Sequence, residues 1–133
     1  MDGDIAPLDV ITDLKKKYNA FTFVDECHGT GVFGATGHGT PELFDLEDSI
    51  DVISSTLGKA LGGASGGYTA GPREVIDVLR NKGRPYLFSN SIAPPIVGAT
   101  LEVLKMLQES NELQDKLKAN LTRFRKGIKA AGF

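Results

Sequence analysis

Apolar positions alternate with polar ones in two distinct periods along this chain. Leu8, Ile11, Leu14 and Tyr18 recur at helical spacing, which predicts a helix over 8–18 with Pro7 suiting its first turn. Ala20-Phe-Thr-Phe-Val-Asp25 is a short β-rich run that ends on an acid. Residues 29–41 hold five glycines and a proline, so they are expected to be loop, with one helical turn over 41–46. Asp51-Val-Ile-Ser-Ser-Thr56 predicts a second strand, 58–67 a second glycine-rich loop, and Gly66–Gly71 a third strand. A helix is expected over 72–82 and a fourth short strand over Pro85–Phe88, followed by the polar Ser89-Asn90-Ser91. Two helices, about 94–109 and 111–131, close the chain, with Ser110-Asn111 as a cap or bend.

Strands that alternate with helices or long crossovers predict an α/β fold with a mainly parallel sheet. Ligands of such sheets bind beyond the carboxyl ends of the strands. That rule brings Asp25, His28, Thr56, Lys59 and Ser89–Ser91 to one rim, although they are scattered in sequence.

Composition narrows the classes. The 133 residues suit one domain of ordinary size, and a net charge of -2 gives no electrostatic case for nucleic acid. Arg123, Arg125, Lys126 and Lys129 cluster near the C-terminus and read as a solvated helix face. The lone Cys27 excludes an internal disulfide and, beside acids, reads as a small buried filler. No stretch reaches the roughly 20 apolar residues of a membrane span. The acidic start, Met-Asp-Gly-Asp, has the features of neither a signal peptide nor a transit peptide.

Two phosphate-binding signatures fail on inspection. Gly29, Gly31 and Gly34 spell G-x-G-x-x-G after a strand, but a dinucleotide site needs a helix to open there. Ala35-Thr-Gly-His-Gly-Thr-Pro41 cannot sustain one. Gly58-Lys59 is not a Walker A loop, because Ile53 stands where the first glycine belongs and Ala60 follows the lysine.

Two other segments carry chemistry. In Ser55-Thr-Leu-Gly-Lys-Ala-Leu-Gly-Gly-Ala-Ser-Gly-Gly-Tyr68, Lys59 comes straight off a strand among small residues. Glycines allow close approach to a flat ligand, and a Schiff-base lysine must supply a neutral amine. A structural loop with a solvent-facing lysine fits the spacing equally well. In Phe23-Val-Asp-Glu-Cys-His28, an aspartate at the end of a buried strand needs a partner. A pyridinium nitrogen would serve, since opposite charges ~4 Å apart attract by roughly 4 kcal/mol at an effective dielectric of 20. A strand-end Asp that caps a turn, with His28 as its neighbour, is the other reading.

At these motifs the chain resembles the α-oxoamine synthases, pyridoxal-phosphate enzymes of the aspartate-aminotransferase fold type (fold type I). The matching stretches are Met1–Pro7, Val24-Asp-Glu-Cys-His-Gly-Thr-Gly31, Ser55–Tyr68 and Arg84-Pro-Tyr-Leu-Phe-Ser-Asn-Ser91, and the resemblance runs from residue 1 to 133. It implies that Lys59 forms the Schiff base with pyridoxal 5'-phosphate and moves the substrate's α-proton. It implies Asp25 against the pyridine nitrogen, His28 near the phenolic oxygen and Thr56 on the phosphate. Ser89, Asn90 and Ser91 would reach the phosphate across a homodimer interface.

The implied reaction joins glycine to acetyl-CoA, giving 2-amino-3-oxobutyrate and CoA, and runs in reverse in threonine breakdown. A sister synthase with another amino acid or acyl-CoA, and a catalytically silent module, are the alternatives. Residues 1–110 are expected to be part of the large cofactor-binding domain and 111–133 a helix leading toward a smaller one. Family subunits are much longer, and neither the ring-stacking aromatic nor the carboxylate-binding arginine can be located here. A central segment, inactive by itself, is therefore expected, mitochondrial in a eukaryote or cytoplasmic in a bacterium.

Overall fold

The computed structural model describes residues 3–133, so the first two residues of the Met1–Pro7 stretch lie outside it. Helix α1 spans Leu8–Tyr18 and strand β1 Phe23–Asp25. A short helix α2 (Thr40–Leu43) and a 3-10 turn (Glu47–Ser49) lead into β2, Val52–Thr56. Strand β3 is Gly67–Ala70, and the helices α3 (Arg73–Lys82), α4 (Arg84–Phe88), α5 (Pro94–Glu109) and α6 (Glu112–Ala130) follow.

Helix α1 begins after Pro7 and ends where Asn19 turns left-handed at φ 47, a conformation its short polar side chain tolerates. The helix packs through Leu8 and Thr12, one turn apart, each 1% exposed. The Thr12 hydroxyl donates back to the Leu8 carbonyl at 2.7 Å, so burying it leaves no unpaired donor. The rest of the expected stripe, Ile11, Leu14 and Tyr18, stays exposed.

Lys15 ties α1 to the start of β2. Its ammonium lies 2.8 Å from Asp51 Oδ2 and donates to the Ser49 carbonyl at 2.8 Å. The same carboxylate oxygen accepts from the Thr22 amide (2.7 Å) and hydroxyl (2.8 Å), which fixes the entry of β1 beside β2. The Lys15 and Thr22 hydrogen bonds hold the Asp51 carboxyl down from 3.8 to about 2. A carboxylate lowered in the folded state stabilises the fold fully above 3.8, and that contribution is lost as pH falls through about 2. Asp51→Asn is therefore expected to lower the thermal midpoint at neutral pH. Its difference from the parent should vanish in strong acid, as followed by circular dichroism.

The sheet order is β1-β2-β3. Strands β1 and β2 are parallel, with Phe23 opposite Val52 and Asp25 opposite Ser54. Strand β3 runs antiparallel to β2, pairing Thr56 with Gly67 and Ile53 with Ala70. The α/β class holds, but these three strands form a mixed sheet rather than a mainly parallel one. The reason is the β2–β3 connection. It has no crossover helix to carry the chain back, so the loop returns directly beside β2.

The expected fourth strand, Pro85–Phe88, is instead helix α4. Pro85 lacks the N–H a sheet ladder needs, whereas its fixed φ suits a first helical turn. The Leu87 amide bonds the Gly83 carbonyl and the Ser89 amide the Pro85 carbonyl, closing the turn.

The buried apolar set is small: Leu8, Val52, Leu57 and Leu61. The accessible surface is 9902 Å², against about 6,800 Å² for a self-contained protein of 14.2 kDa. Much of the excess is apolar, with Phe21, Phe23, Phe88, Leu101, Leu113 and Phe124 all exposed. Strand β1, expected to be buried, is an open edge. The isolated 133-residue chain is accordingly expected to self-associate and bind an apolar dye. A monodisperse monomer by light scattering, with no dye binding, would contradict this.

Candidate active site

Strands β1 and β2 run parallel and in near register, so their carboxyl ends, at Asp25 and Thr56, open on the same rim. Two turns leave from there. One carries Glu26 to Gly29, and the other is the loop from Leu57 to Gly66.

The second loop is pinned at both ends. Leu57 and Leu61 are each 6% exposed, while Gly58, Lys59 and Ala60 between them are exposed. The Leu57 amide bonds the Gly66 carbonyl, and the Gly62 amide bonds the Lys59 carbonyl. The Thr56 hydroxyl donates to the Gly66 carbonyl at 3.1 Å and accepts from the Gly58 amide at 3.1 Å, tightening the neck. Lys59 thus sits at the crest of a turn whose base is fixed, with its amine free in solvent.

The two motif loops touch. Gly31, at φ +83, lies against Ala60 so closely that a methyl on it would fall 2.9 Å from the Ala60 Cβ. The glycine is needed both for its backbone conformation and for this approach. The contact sets the turn bearing His28 beside the one bearing Lys59.

Asp25 is exposed at the end of β1. The Cys27 thiol and then the Cys27 amide, 2.9 Å from Oδ1, hold its carboxyl below the ordinary carboxylate value, and the charges of Lys59 and His28 add to this. Asp25, His28 and Lys59 therefore lie within electrostatic reach of one another. The same bond to Asp25 pushes the Cys27 thiol up, which disfavours the thiolate and makes Cys27 a donor to Asp25. Cys27 is half-buried rather than a core filler. Sequence reading missed this role because it weighed size and burial and not the Asx-type turn that Asp25 starts.

Asp25, His28, Thr56 and Lys59 are brought together. Ser89, Asn90 and Ser91 are not: they are exposed after α4 and make no hydrogen bond to this group among the described residues. Their neighbour Ile92 does lie against Gly66, where a methyl would come within 3.0 Å of its Cδ1. The segment therefore passes the end of the Lys59 loop.

Most amides of the glycine-rich loop after β1 are occupied from within. Glu42 accepts from the Thr36 amide and hydroxyl and the His38 amide, each at 2.9 Å. Burial pushes the Glu42 carboxyl up, but these bonds outweigh it and hold it below the usual value. Glu26 takes the Thr40 amide at 2.8 Å. A pyrophosphate would have to displace two carboxylates, and only the four-residue α2 follows, which is why this G-x-G-x-x-G is not a dinucleotide site. The first turns of α6 dock on the same loop. Gln114 is buried against Gly37, and the Lys118 ammonium donates to the Ala35 carbonyl at 2.7 Å.

The donor set at the rim suits a phosphorylated pyridine aldehyde. It offers a solvent-facing amine, a carboxylate held ionised, an imidazole and a hydroxyl at a loop neck, all on one edge of the sheet. Among the described residues, no group of three or more His, Cys, Asp or Glu converges to hold a metal ion.

The chain is 54% identical over all 133 residues to the mitochondrial 2-amino-3-ketobutyrate coenzyme A ligase of Mus musculus, covering 32% of it. It is 52% identical to the 2-amino-3-ketobutyrate coenzyme A ligase of Escherichia coli K12, covering 33%. Among solved structures it is similar to a serine palmitoyltransferase from S. paucimobilis bound to a PLP–myriocin aldimine. That match has 34% identity and a TM-score of 0.91, over 100% of this chain and 33% of the other. The chain thus spans about a third of the length of these relatives. The profile of aminotransferase class I and II matches residues 1–133. The chain belongs to the aminotransferase class I and II family, and its motifs resemble those of the α-oxoamine synthases within it.

Proposed function

We propose that this chain is the cofactor-bearing segment of a pyridoxal-phosphate-dependent glycine C-acetyltransferase. The reaction joins glycine and acetyl-CoA to give 2-amino-3-oxobutyrate and CoA, and its reverse serves threonine breakdown. The observation that carries this is Lys59 at the crest of a pinned loop beside an ionised Asp25. The identity of 54% to a protein of that activity supports the choice of substrates.

Pyridoxal phosphate, when bound, supplies an electron-poor ring that takes up the electron pair left at the substrate's α-carbon. The chain's own residues have separate tasks. The Lys59 amine would hold the cofactor's aldehyde carbon and carry the substrate's α-proton. The Asp25 carboxylate stays negative at neutral pH and would keep a proton on the ring nitrogen. His28 would hydrogen-bond the phenolic oxygen, and the Thr56 hydroxyl, which in this structure donates to the Gly66 carbonyl, would turn from it to donate to the phosphate. Ser89, Asn90 and Ser91 serve the phosphate of the second subunit in a homodimer, which their exposure permits. Residues 1–110 belong to the large domain and 111–133 lead toward the smaller one. The compartment would be mitochondrial in a eukaryote, as for the Mus musculus relative, and cytoplasmic in a bacterium.

The likeness in shape to a serine palmitoyltransferase favours one second reading, a synthase for another amino acid or a longer acyl chain. Assay of the complete gene product decides between them. Glycine with acetyl-CoA should give the highest kcat/KM across amino acids and acyl lengths. Preference for serine or a long-chain acyl-CoA would overturn the assignment.

A further inference from the structure

We infer that Glu26 is a positioning residue for the pair Asp25 and His28, acting through a carboxylate wedge. This rests on the reading of that pair as cofactor contacts. Side chains alternate at the end of β1: Asp25 is exposed on one side and Glu26 is 2% exposed on the other. A carboxylate is costly to bury, and here it is seated against two glycines. A methyl on Gly29 or on Gly39 would collide with Glu26 Oε2. The same oxygen accepts the Thr40 amide at 2.8 Å. The wedge thus joins the turn after β1 to the start of α2, across the glycine-rich loop.

The backbone of Glu26 is fixed just as fully. Its amide bonds the Ser54 carbonyl on β2 at 2.7 Å. Its carbonyl accepts from the Gly29 amide (3.0 Å), the Thr30 amide (2.9 Å) and the buried Ser55 hydroxyl (3.2 Å). The inward residue of the turn is held at both ends, so its outward neighbours have one direction to face. Asp25 and His28 are exposed, and the Cys27 hydrogen bonds to Asp25 orient it only as firmly as the turn itself is held. Glu26 supplies the rigidity they lack. Two of the loop's glycines therefore serve an internal carboxylate and not a ligand.

The test is a titration of the complete gene product with pyridoxal phosphate, read by the visible absorption band. Glu26→Ala is expected to weaken binding by about tenfold or more and to alter the band. Glu26→Gln keeps an acceptor for the Thr40 amide and should stay within about threefold of the parent. Gly29→Ala, which puts a methyl where the carboxylate sits, should reproduce the loss and decides the matter if Glu26→Ala fails to fold. In the parent, the Thr40 amide should exchange slowly with deuterium. Parental affinity and an unchanged band in a folded Glu26→Ala or Gly29→Ala protein would overturn the inference, as would free exchange at Thr40. A parent with no Lys59-dependent band would overturn the cofactor reading itself, and that is seen before any change at Glu26.

Discussion

Replacing Lys59 by alanine is expected to remove the visible absorption of the pyridoxal-phosphate-loaded gene product and to lower turnover by at least about 10³-fold. The amine has two tasks, holding the cofactor and carrying the α-proton, and no second lysine lies on the turns that close this rim. Lys59→Arg should rescue neither task, because a guanidinium keeps the charge but cannot give up its proton to become a nucleophile. The fold should be unaffected. Lys59 is exposed, and the neighbours that anchor its loop are Leu57 and Leu61. The measurement is a spectrum, a thermal melt and a rate on one preparation. Loss of the melt together with the rate would mean that Lys59 is structural and would refute the assignment.

The second large effect is expected at Asp25. Asp25→Asn keeps the size and the acceptor for the Cys27 amide but removes the charge. Electrostatic stabilisation of this kind is worth roughly 10²–10³-fold in kcat. The pH dependence separates this from a general loss of structure. Cys27, Lys59 and His28 hold the Asp25 carboxyl below 3.8, so it remains ionised through neutral and mildly acidic conditions. The ratio of parent to variant rates should narrow on mild acidification, since solvent protons then restore to the ring nitrogen of the variant the charge that Asp25 holds there in the parent. A deficit that stays the same from neutral to mildly acidic pH would contradict the role given to Asp25.

Much of this was legible in the sequence because the relevant physics is local. Helix α1 is readable from its apolar spacing and from Pro7 at its first turn, and the glycine-rich loops could be nothing else. Asp25, His28, Thr56 and Lys59 follow strands, and strand ends in an α/β sheet share a rim. The errors came where the deciding partner is distant or is a matter of geometry. Pro85–Phe88 looks extended by composition, yet proline at a first turn makes it helix α4. The direction of β3 depends on what the preceding loop can span, which no periodicity encodes. The apolar stripe of α1 promised a buried face, but only Leu8 of the four stripe residues is covered. Glu26 looks like a solvated acid beside Asp25 until the two glycines around its carboxylate are seen in space.

The most direct test is reduction of the pyridoxal-phosphate-loaded gene product with borohydride, followed by peptide mapping. The account predicts one pyridoxyl adduct per chain, on the ε-nitrogen of Lys59, with none in the Lys59→Ala protein. An adduct on a different lysine, or no adduct in a protein that still turns over glycine and acetyl-CoA, would contradict it.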